Sequence, residues 1–534
     1  MRGKDDSQSS NHRQVVVIGS GFGGVMAAWP LVRAGVDVLM LERGPWVERG
    51  PECWEPEGTL TRTPYYLDGE PYQARTDSGA GEVRACSCVG GPSAFYGGVS
   101  FRYRSGDFLF DPEIAGASGA RWPLTYGDLA PFYRDVEALL GVAGRAGQDP
   151  TEPPRESSYP YPPAGLSRVS RVLASAAGSL GLHPFPLPLA LNFGGVARER
   201  SACVECATCD TFACAIEAKN DLASAVIPTL LAEGMELRPG TEVVRLHREG
   251  RRVEGVECRD RASGRSFVLT ADTVILAAGA LGTAHLLLAS GLPELNPAGE
   301  AVGRYLTRHC SAIVYGAYSW LPRYEGRFHK QMGINDFYFG DPGGEGPTGK
   351  LGNIQQTQTP SMGTVTAEVG ELAGFFLRPL VRRITGLLVI AEDRPRWDNR
   401  VELDGSSRDG LGRPAPRIEH RYHDRDLEAR RALCRRSRQI HGAAGAVATY
   451  VHRIDTFSHS LGTVRMGEDP ETSPLEATGQ FRGLENLYVT DGSALPTAAG
   501  VNPSLTIAAN ALRVGRRLAT QVAVGVGRAG GVGT

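Results

Sequence analysis

Residues 14–42, QVVVIGSGFGGVMAAWPLVRAGVDVLMLE, restrict the fold more than any other stretch of the chain. Gln14 to Ile18 is a β-branched run of the kind carried by a buried parallel strand. Gly19, Gly21 and Gly24 follow as G-x-G-x-x-G, at the point where the period changes from strand to helix. Gly35 closes the helical stretch, Asp37 to Leu41 reads as a second strand, and Glu42 stands at its tip. Gly19 permits a tight turn, Gly21 lets backbone approach a pyrophosphate, and Gly24 lets helix pack on strand. The unpaired N–H groups of the helix start favour phosphate, and an acid about 20 residues beyond the glycines suits a ribose hydroxyl. Pro30 inside the helix breaks a local rule and should kink it or remove a backbone bond. A dinucleotide site follows, although the motif alone does not separate FAD from NAD.

At 534 residues the chain exceeds what one core ordinarily supports, so two or more domains are expected. A net charge of −2 gives no reason to expect nucleic acid or an anionic membrane as partner. No apolar run reaches the roughly 18 residues a membrane helix needs, so no membrane span is expected. The first 13 residues are polar and read as a disordered lead-in, and the Gly-rich tail after Val522 reads as equally loose. Without a targeting segment the expected location is cytoplasmic, where most of the ten cysteines stay reduced.

Residues 45–80 have a loop-type composition with no clear period. In CVGGPSAFYGGVSFRYRSGDF (88–108), glycine pairs flank an aromatic pair, which suggests backbone held close to something flat and large. WPLTYGDLAPFYRDVEALLGV (122–142) spaces Leu129, Phe132, Tyr133, Val136, Leu139 and Leu140 as a helix, and a shorter helix is expected around Ser167 to Ala177. CVECATCDTFAC then places Cys203, Cys206, Cys209 and Cys214 densely enough for zinc or an iron–sulfur cluster. No Cys-Pro, second pair or His completes a standard pattern, so no metal is expected, with structural thiols or an opportunistic disulfide ahead of a metal site and then a redox role. Residues 218–258 read as helix, strand and strand-turn-strand. Residues 272–292 read as a strand returning to the first sheet, then a Gly-rich turn and a helix. A second phosphate-binding fold is the rival there. From about 305 to 455 apolar and polar residues alternate, which suggests an antiparallel sheet with one ligand-facing side, and His329 lies in this alternating part. A buried strand at 385–393 and a charged helix from Asp424 to Ile440 complete it.

Two segments near the end carry the chemistry: FSHSLGTVRMG (457–467) and NLYVTDGSALPTAAGVNPSLTIAANALRVGRRLA (486–519). The second reads as a strand over Leu487 to Val489, a turn at Asp491-Gly492-Ser493, and a helix from about Asn502 with Pro503 in its first turn. With the amino-terminal glycines and the 88–108 segment, they resemble the glucose–methanol–choline (GMC) flavoprotein oxidoreductases. That family's pattern is His-x-x-Gly-Thr, then Asp-Gly-Ser, then His or Asn before Pro or a small residue. The resemblance spans 14–110, 218–310 and 455–520 and implies FAD as cofactor. It implies that His459 is the catalytic histidine, Asn502 its partner, and Asp491 with Gly492 a support for the ribityl and pyrophosphate region. Gly90, Gly91 and Ser93 then belong to the loop over the flavin, Val243 to backbone beside the adenine, Ala278-Gly279 to the turn closing the FAD domain, and Pro503 to the helix start at the ring. Tyr96 stands where the family commonly has Asn. Phe95 stands where some sugar oxidases attach flavin through His, so FAD is expected to be non-covalent. FYGGVSFRYR and WPLTYGDLAPFY are also similar to flavin dehydrogenases of aminoglycoside biosynthesis, a hint about substrate class.

Oxidising an alcohol removes a proton from oxygen and a hydride from carbon. A neutral imidazole, with an ordinary pKa near 6.5, can take the proton, and a carboxamide can hold the same oxygen. The expectation is an α/β chain (α+β overall) with a Rossmann-type FAD-binding domain and a discontinuous antiparallel-sheet substrate domain. The FAD domain takes 14–110, 201–304 and 455–522, and the substrate part takes 111–200 and 305–454. The expected function is an FAD-dependent oxidoreductase acting on a CH–OH group of a sugar, polyol or other polar alcohol. A hydroxynitrile-lyase-like enzyme with structural FAD, and a metal or redox protein built on Cys203–Cys214, are the rivals. The electron acceptor (oxygen, a quinone or a carrier protein) is not specified by the residues.

Overall fold

A computed structural model describes residues 11–54, 65, 72–195, 199–319, 328, 330–341, 343, 346–359, 370, 374, 381 and 383–529. Its architecture is α/β, with three sheets. The first has seven strands, in the order β6-β2-β1-β9-β8-β7, with β17 on β9. At its centre are β1 (His12–Ile18), β2 (Val38–Leu41) and the long β9 (Ser266–Leu276). β1 pairs in parallel with β2 on one side and β9 on the other. Val15, Val16 and Val17 are fully buried, as the continuous apolar run requires. β6 (Glu236–Arg238) and β17 (Leu487–Val489) add further parallel neighbours. The other end of β9 pairs antiparallel with β8 (Arg252–Asp260), which forms a hairpin with β7 (Thr241–Glu249). The strand in 272–292 therefore returns to the first sheet, and no second phosphate-binding fold is built.

Helix α1 (Phe22–Arg33) continues through Pro30. A methyl group on Gly24 would run into the Gly19 carbonyl oxygen, so Gly24 is what lets this helix lie against its strand. The long carboxy-terminal helix (Ser504–Ala529) packs against α1, with Gly515 facing the Ala27 carbonyl. It runs past Val522, where the sequence suggested a loose tail.

The second sheet is antiparallel, in the order β16-β10-β13-β12-β11-β5, with β16 (Ala448–Arg453) at one edge and β11 (Met332–Ile334) and β5 (Phe185–Pro186) at the other. Its central strands are β10 (Cys310–Ala317), β13 (Ile384–Ala391) and β12 (Gly352–Thr357). One face packs Ala312, Val314, Leu387 and Val389 against Ala429, Leu433 and Ile440 of the helix Asp424–Ala443. On β12, Asn353 and Gln355 are also fully buried and point away from Ile354, so the other side of this sheet is a polar interior. The third sheet joins β14 (Arg400–Arg408) and β15 (Pro414–Glu419) to β3 (Tyr72–Thr76) and β4 (Gly79–Val83). Part of the segment read as loop is therefore strand. The helix in 122–142 spans Tyr126–Leu139, capped reciprocally by Thr125 and Asp128.

Candidate active site

Three backbone turns meet above the first sheet. The turn after β1 carries Gly19 and Gly21, the turn after β9 carries Ala278 and Gly279, and the turn after β17 carries Asp491 and Gly492. Gly19 has a left-handed φ of 103°, and its missing side chain lets it sit on the Ala277 carbonyl and the Ala278 N–H. Gly23 lies against the backbone of Thr490 and Asp491, and Gly91 of the 88–108 segment lies against Gly21. Glu42 is buried at the end of β2, where Oε2 accepts from the N–H and hydroxyl of Ser20 (3.1 and 2.7 Å) and Oε1 from the Gly44 N–H (2.9 Å). The Ser20 hydroxyl also accepts from the Gly90 N–H (2.9 Å), which ties the loop to the acid. Ser93 donates to the Gly90 carbonyl (2.6 Å) and accepts from the Leu222 N–H (3.1 Å). The Thr241 N–H donates to the Glu42 carbonyl (2.9 Å), so β7 starts beside the acid, and the Val243 carbonyl accepts from Arg413.

The cofactor can be tested against these residues. At Gly21 and Gly279 nothing lies within 4 Å of where a side chain would start, whereas Gly19 and Gly24 are filled against backbone. α1 begins at Gly21 and the helix Gly279–Ala289 begins at Ala278, both without a side-chain cap and without an acid in the first turn. Two uncapped helix starts beside open glycines suit a diphosphate. Asp491 is buried, and its carboxylate accepts from the Gly279 N–H (2.9 Å), Thr283 Oγ1 (2.5 Å), the Ser493 N–H (2.8 Å) and Ser493 Oγ (2.5 Å). It locks two of the turns together through these four bonds. Burial pushes its carboxyl up, against the pull of Ser493 and Thr283.

His459 and Asn502 reach the same region from separate segments. Residues 461–466 run beside 492–494, with backbone bonds from Gly462 to Gly492, Val464 to Ser493 and Met466 to Ala494. Leu461 and Thr307 exchange both backbone bonds as an antiparallel bridge (2.9 and 3.1 Å). Two residues further out in that register, 309 stands opposite 459. There the His459 and His309 rings meet edge to face, with Nδ1 to Nδ1 at 2.9 Å. His309 Nε2 lies 3.1 Å from the Ala498 carbonyl and 2.9 Å from that of Ala499.

The loop leading to Asn502 is held on several sides. Tyr103 donates to the Ala498 carbonyl (2.6 Å), Glu392 accepts from the Ala499 N–H (2.9 Å), and the Tyr338 hydroxyl accepts from the Gly500 N–H (2.9 Å). Asn502 Oδ1 accepts from Gln355 Nε2 of β12 (2.6 Å), and Pro503 leads into the helix Ser504–Ala529. His459 is half-buried in surface exposure but densely surrounded by protein. Burial first, then the Lys330 cation, hold its imidazole well below the ordinary 6.5, so it stands as a neutral imidazole at working pH. Lys330 pairs with Asp210 of the cysteine segment (2.5 Å), beside Gly97.

His309 has no partner motif in the sequence, because its partner lies 150 residues away and is brought to it through the bridge at Thr307. Gln355, Lys330 and Asp210 likewise carry no spacing signal. His329 lies outside the described residues. Phe95 is buried against Tyr65, and the Tyr96 hydroxyl donates to the Asn220 carbonyl (3.0 Å). All ten cysteines stand as free thiols, and burial pushes those of Cys203 and Cys209 up to about 11 and about 12. Among the described residues, no group of three or more His, Cys, Asp or Glu is placed to hold a metal ion, and no helix is long and apolar enough to cross a membrane.

Known proteins place the chain. Family models described as GMC oxidoreductase match residues 169–311 and 395–511. The chain is 34% identical to 6'''-hydroxyparomomycin C oxidase of Streptomyces lividus, over 95% of this chain and 92% of the relative. It is also 34% identical to paromamine 6'-oxidase of Streptomyces fradiae, over 95% and 91%. Pyridoxine 4-oxidase from Mesorbium loti shares the fold at a TM-score of 0.67 and 20% identity, over 95% of this chain and 99% of that one. This chain therefore belongs to the GMC oxidoreductase family, as an FAD-dependent enzyme that oxidises CH–OH groups.

Proposed function

We propose that the chain oxidises a hydroxymethyl group on a polar, amino-sugar-like alcohol, with His459 as general base and Asn502 as the group that orients the reacting oxygen. The observation that carries this reading is the convergence of His459 and the Asn502 loop, joined through His309 and faced by the polar strand β12. Gln355, Lys330 and Asp210 supply amide, ammonium and carboxylate groups nearby, a lining that suits a substrate with several hydroxyl and amino groups. The two Streptomyces relatives, named for paromomycin-type and paromamine substrates, support the same class.

In this reading Gly21 and Gly279, at the turns of Gly19 and Ala278, would hold the diphosphate, Gly24 packs the helix that points at it, and Glu42 and Val243 would flank the adenosine. Gly90, Gly91 and Ser93 would lie over the ring from the loop side, Asp491 and Gly492 would support the ribityl and pyrophosphate region, and Pro503 would bring the helix start to the ring. Segments 14–110, 201–304 and 455–522 form the FAD half, and 111–200 with 305–454 the substrate half. Phe95 offers no group for a covalent link, so FAD is held non-covalently. Bound FAD supplies the acceptor for the hydride leaving the carbinol carbon. His459 takes the hydroxyl proton as that carbon is oxidised, and Asn502 holds the oxygen so that its C–H bond faces inward. The ten free thiols fit a reducing compartment, and we place the enzyme in the cytoplasm.

The test is anaerobic addition of paromamine, simple sugars and short diols to the holoenzyme, followed by its visible spectrum. Bleaching is expected, whereas a lyase leaves the spectrum oxidised. His459→Ala should retain bound FAD and slow bleaching by about 10²–10⁴-fold. An undiminished rate removes His459 from the role.

A further inference from the structure

Which nitrogen of His459 is free to accept a proton depends on its neighbour. His309 Nε2 faces two backbone carbonyls, those of Ala498 and Ala499, at 3.1 and 2.9 Å. A carbonyl oxygen only accepts, so His309 Nε2 must carry a hydrogen. His309 is buried, and burial holds it below its ordinary pKa despite Asp393 and those carbonyls, so the ring is neutral. With its one hydrogen on Nε2, its Nδ1 is a lone pair. That lone pair stands 2.9 Å from His459 Nδ1, and only a hydrogen on His459 Nδ1 makes this contact a bond. The remaining nitrogen of His459, Nε2, is then unprotonated.

We propose that His309 is a positioning residue that fixes the tautomer of His459 and leaves His459 Nε2 as the atom that takes the substrate proton. The proposal rests on His459 being the base and deepens that reading. During the reaction the O–H bond of the alcohol breaks and its proton forms an N–H bond at Nε2. The imidazolium so formed keeps its Nδ1–H on the His309 lone pair, now as a charge-assisted hydrogen bond. His309 stays neutral and passes no proton on, since its other nitrogen is committed to the carbonyls.

The surroundings hold His309 to this task. Asp393 accepts from the backbone N–H groups of Arg308 and His309 (2.9 and 3.0 Å), and Tyr422 donates to the His309 carbonyl (2.8 Å). These bonds support a left-handed backbone, φ 62°, at a residue other than glycine. Ala499, which receives the ring, is also left-handed, with φ 54°. The charged groups acting on the pair are Lys330 towards His459 and Asp393 towards His309.

Two measurements test this. The first is neutron diffraction from the perdeuterated wild-type holoenzyme. Deuterium is expected on His309 Nε2 and His459 Nδ1 and absent from His459 Nε2, and deuterium on His309 Nδ1 or on His459 Nε2 overturns the assignment. The second is the pH profile of anaerobic flavin bleaching by the fastest alcohol among paromamine, simple sugars and short diols. His309→Phe keeps the ring but offers no acceptor. It should hold FAD, lower the plateau rate by about 10- to 100-fold, and move the acidic limb to lower pH, because the imidazolium loses its partner. His309→Asn, whose amide oxygen can accept and whose backbone tolerates positive φ, should recover most of the rate and the limb. A Phe variant with the wild-type rate and limb overturns the proposal, as does a lowered plateau on an unmoved limb that Asn does not rescue. Should His459→Ala keep the wild-type rate, the base assignment fails, and the proton positions still report on the His309–His459 bond by themselves.

Discussion

Gly21 and Gly24 sit three residues apart in one motif, yet their substitution by alanine should fail in different ways. At Gly21 the backbone is extended (φ −74°, ψ −172°), a conformation any residue adopts, and no protein atom lies within 4 Å of the added methyl. Gly21→Ala should therefore leave the FAD-free protein as stable as wild type. The methyl instead occupies the space beside an uncapped helix start, where the diphosphate would come. Forcing one extra carbon into a packed contact costs about 1–3 kcal/mol, or about 5- to 150-fold in affinity. At an FAD concentration of 100 times the wild-type Kd, ligand-linked stabilisation is about 2.7 kcal/mol. It falls to about 1.4 kcal/mol for a tenfold weaker site and about 0.4 kcal/mol for a hundredfold weaker one. Gly24→Ala, by contrast, drives its methyl into the Gly19 carbonyl within the protein itself, and should destabilise the fold with or without FAD. Denaturant melts of both variants at several FAD concentrations, together with a binding titration, separate the two. Wild-type FAD affinity in Gly21→Ala, or wild-type FAD-free stability in Gly24→Ala, would refute the reasoning.

Other expectations follow from buried charge and from the base. Glu137 is buried and receives paired bonds from both Arg102 (2.9 and 2.7 Å) and Arg155 (3.1 and 2.7 Å). Glu137→Gln leaves the Arg102 guanidinium without its counter-charge and Arg155 with Glu152 alone (3.4 Å), and should cost about 3–5 kcal/mol in a urea melt, whereas a loss under about 1 kcal/mol contradicts it. Asp491→Asn turns one of two saturated acceptor oxygens into a donor facing donors, which should cost at least about 1–3 kcal/mol and lower the FAD content of the purified protein. Protonation removes the lone pair of His459, so bleaching slows in acid. Because burial and the Lys330 cation lower that pKa, the rate at saturating substrate should stay flat from pH 8 to 6.5 and fall only below it. A midpoint above pH 6.5 in stopped-flow runs contradicts this.

The residues foretold those parts of the molecule whose physics is local. The run Val15–Val17, the glycine spacing and Gly35 are enough to write strand, turn and helix, with Glu42 buried just past the second strand. Thr125 and Asp128 announce a helix start because a capping box needs only four consecutive residues. β4 (Gly79–Val83) escaped notice because it is exposed along nearly all its length and has no buried face to alternate with. The helix Ser504–Ala529 outran its expected end because each added residue of an established helix contributes another backbone bond. His309 was invisible for a different reason. Its significance lies in a cross-chain register at Thr307–Leu461 and in two carbonyls, and carbonyls have no letter in a sequence.

The central strand of the first sheet has a consequence for biosynthesis. β9 receives β1 on one side and β17 on the other, and α1 finds its apolar cover in the helix Ser504–Ala529. A nascent chain on the ribosome holds the glycine turn and half a sheet long before the strand and helix that close it are synthesised. Until then Ala27 lacks that cover, and the apolar face of α1 around it is exposed to aggregation. His459 and Asn502, the proposed base and its partner, arrive with the same late segment, so on that proposal an incompletely made polypeptide is a catalytically silent one.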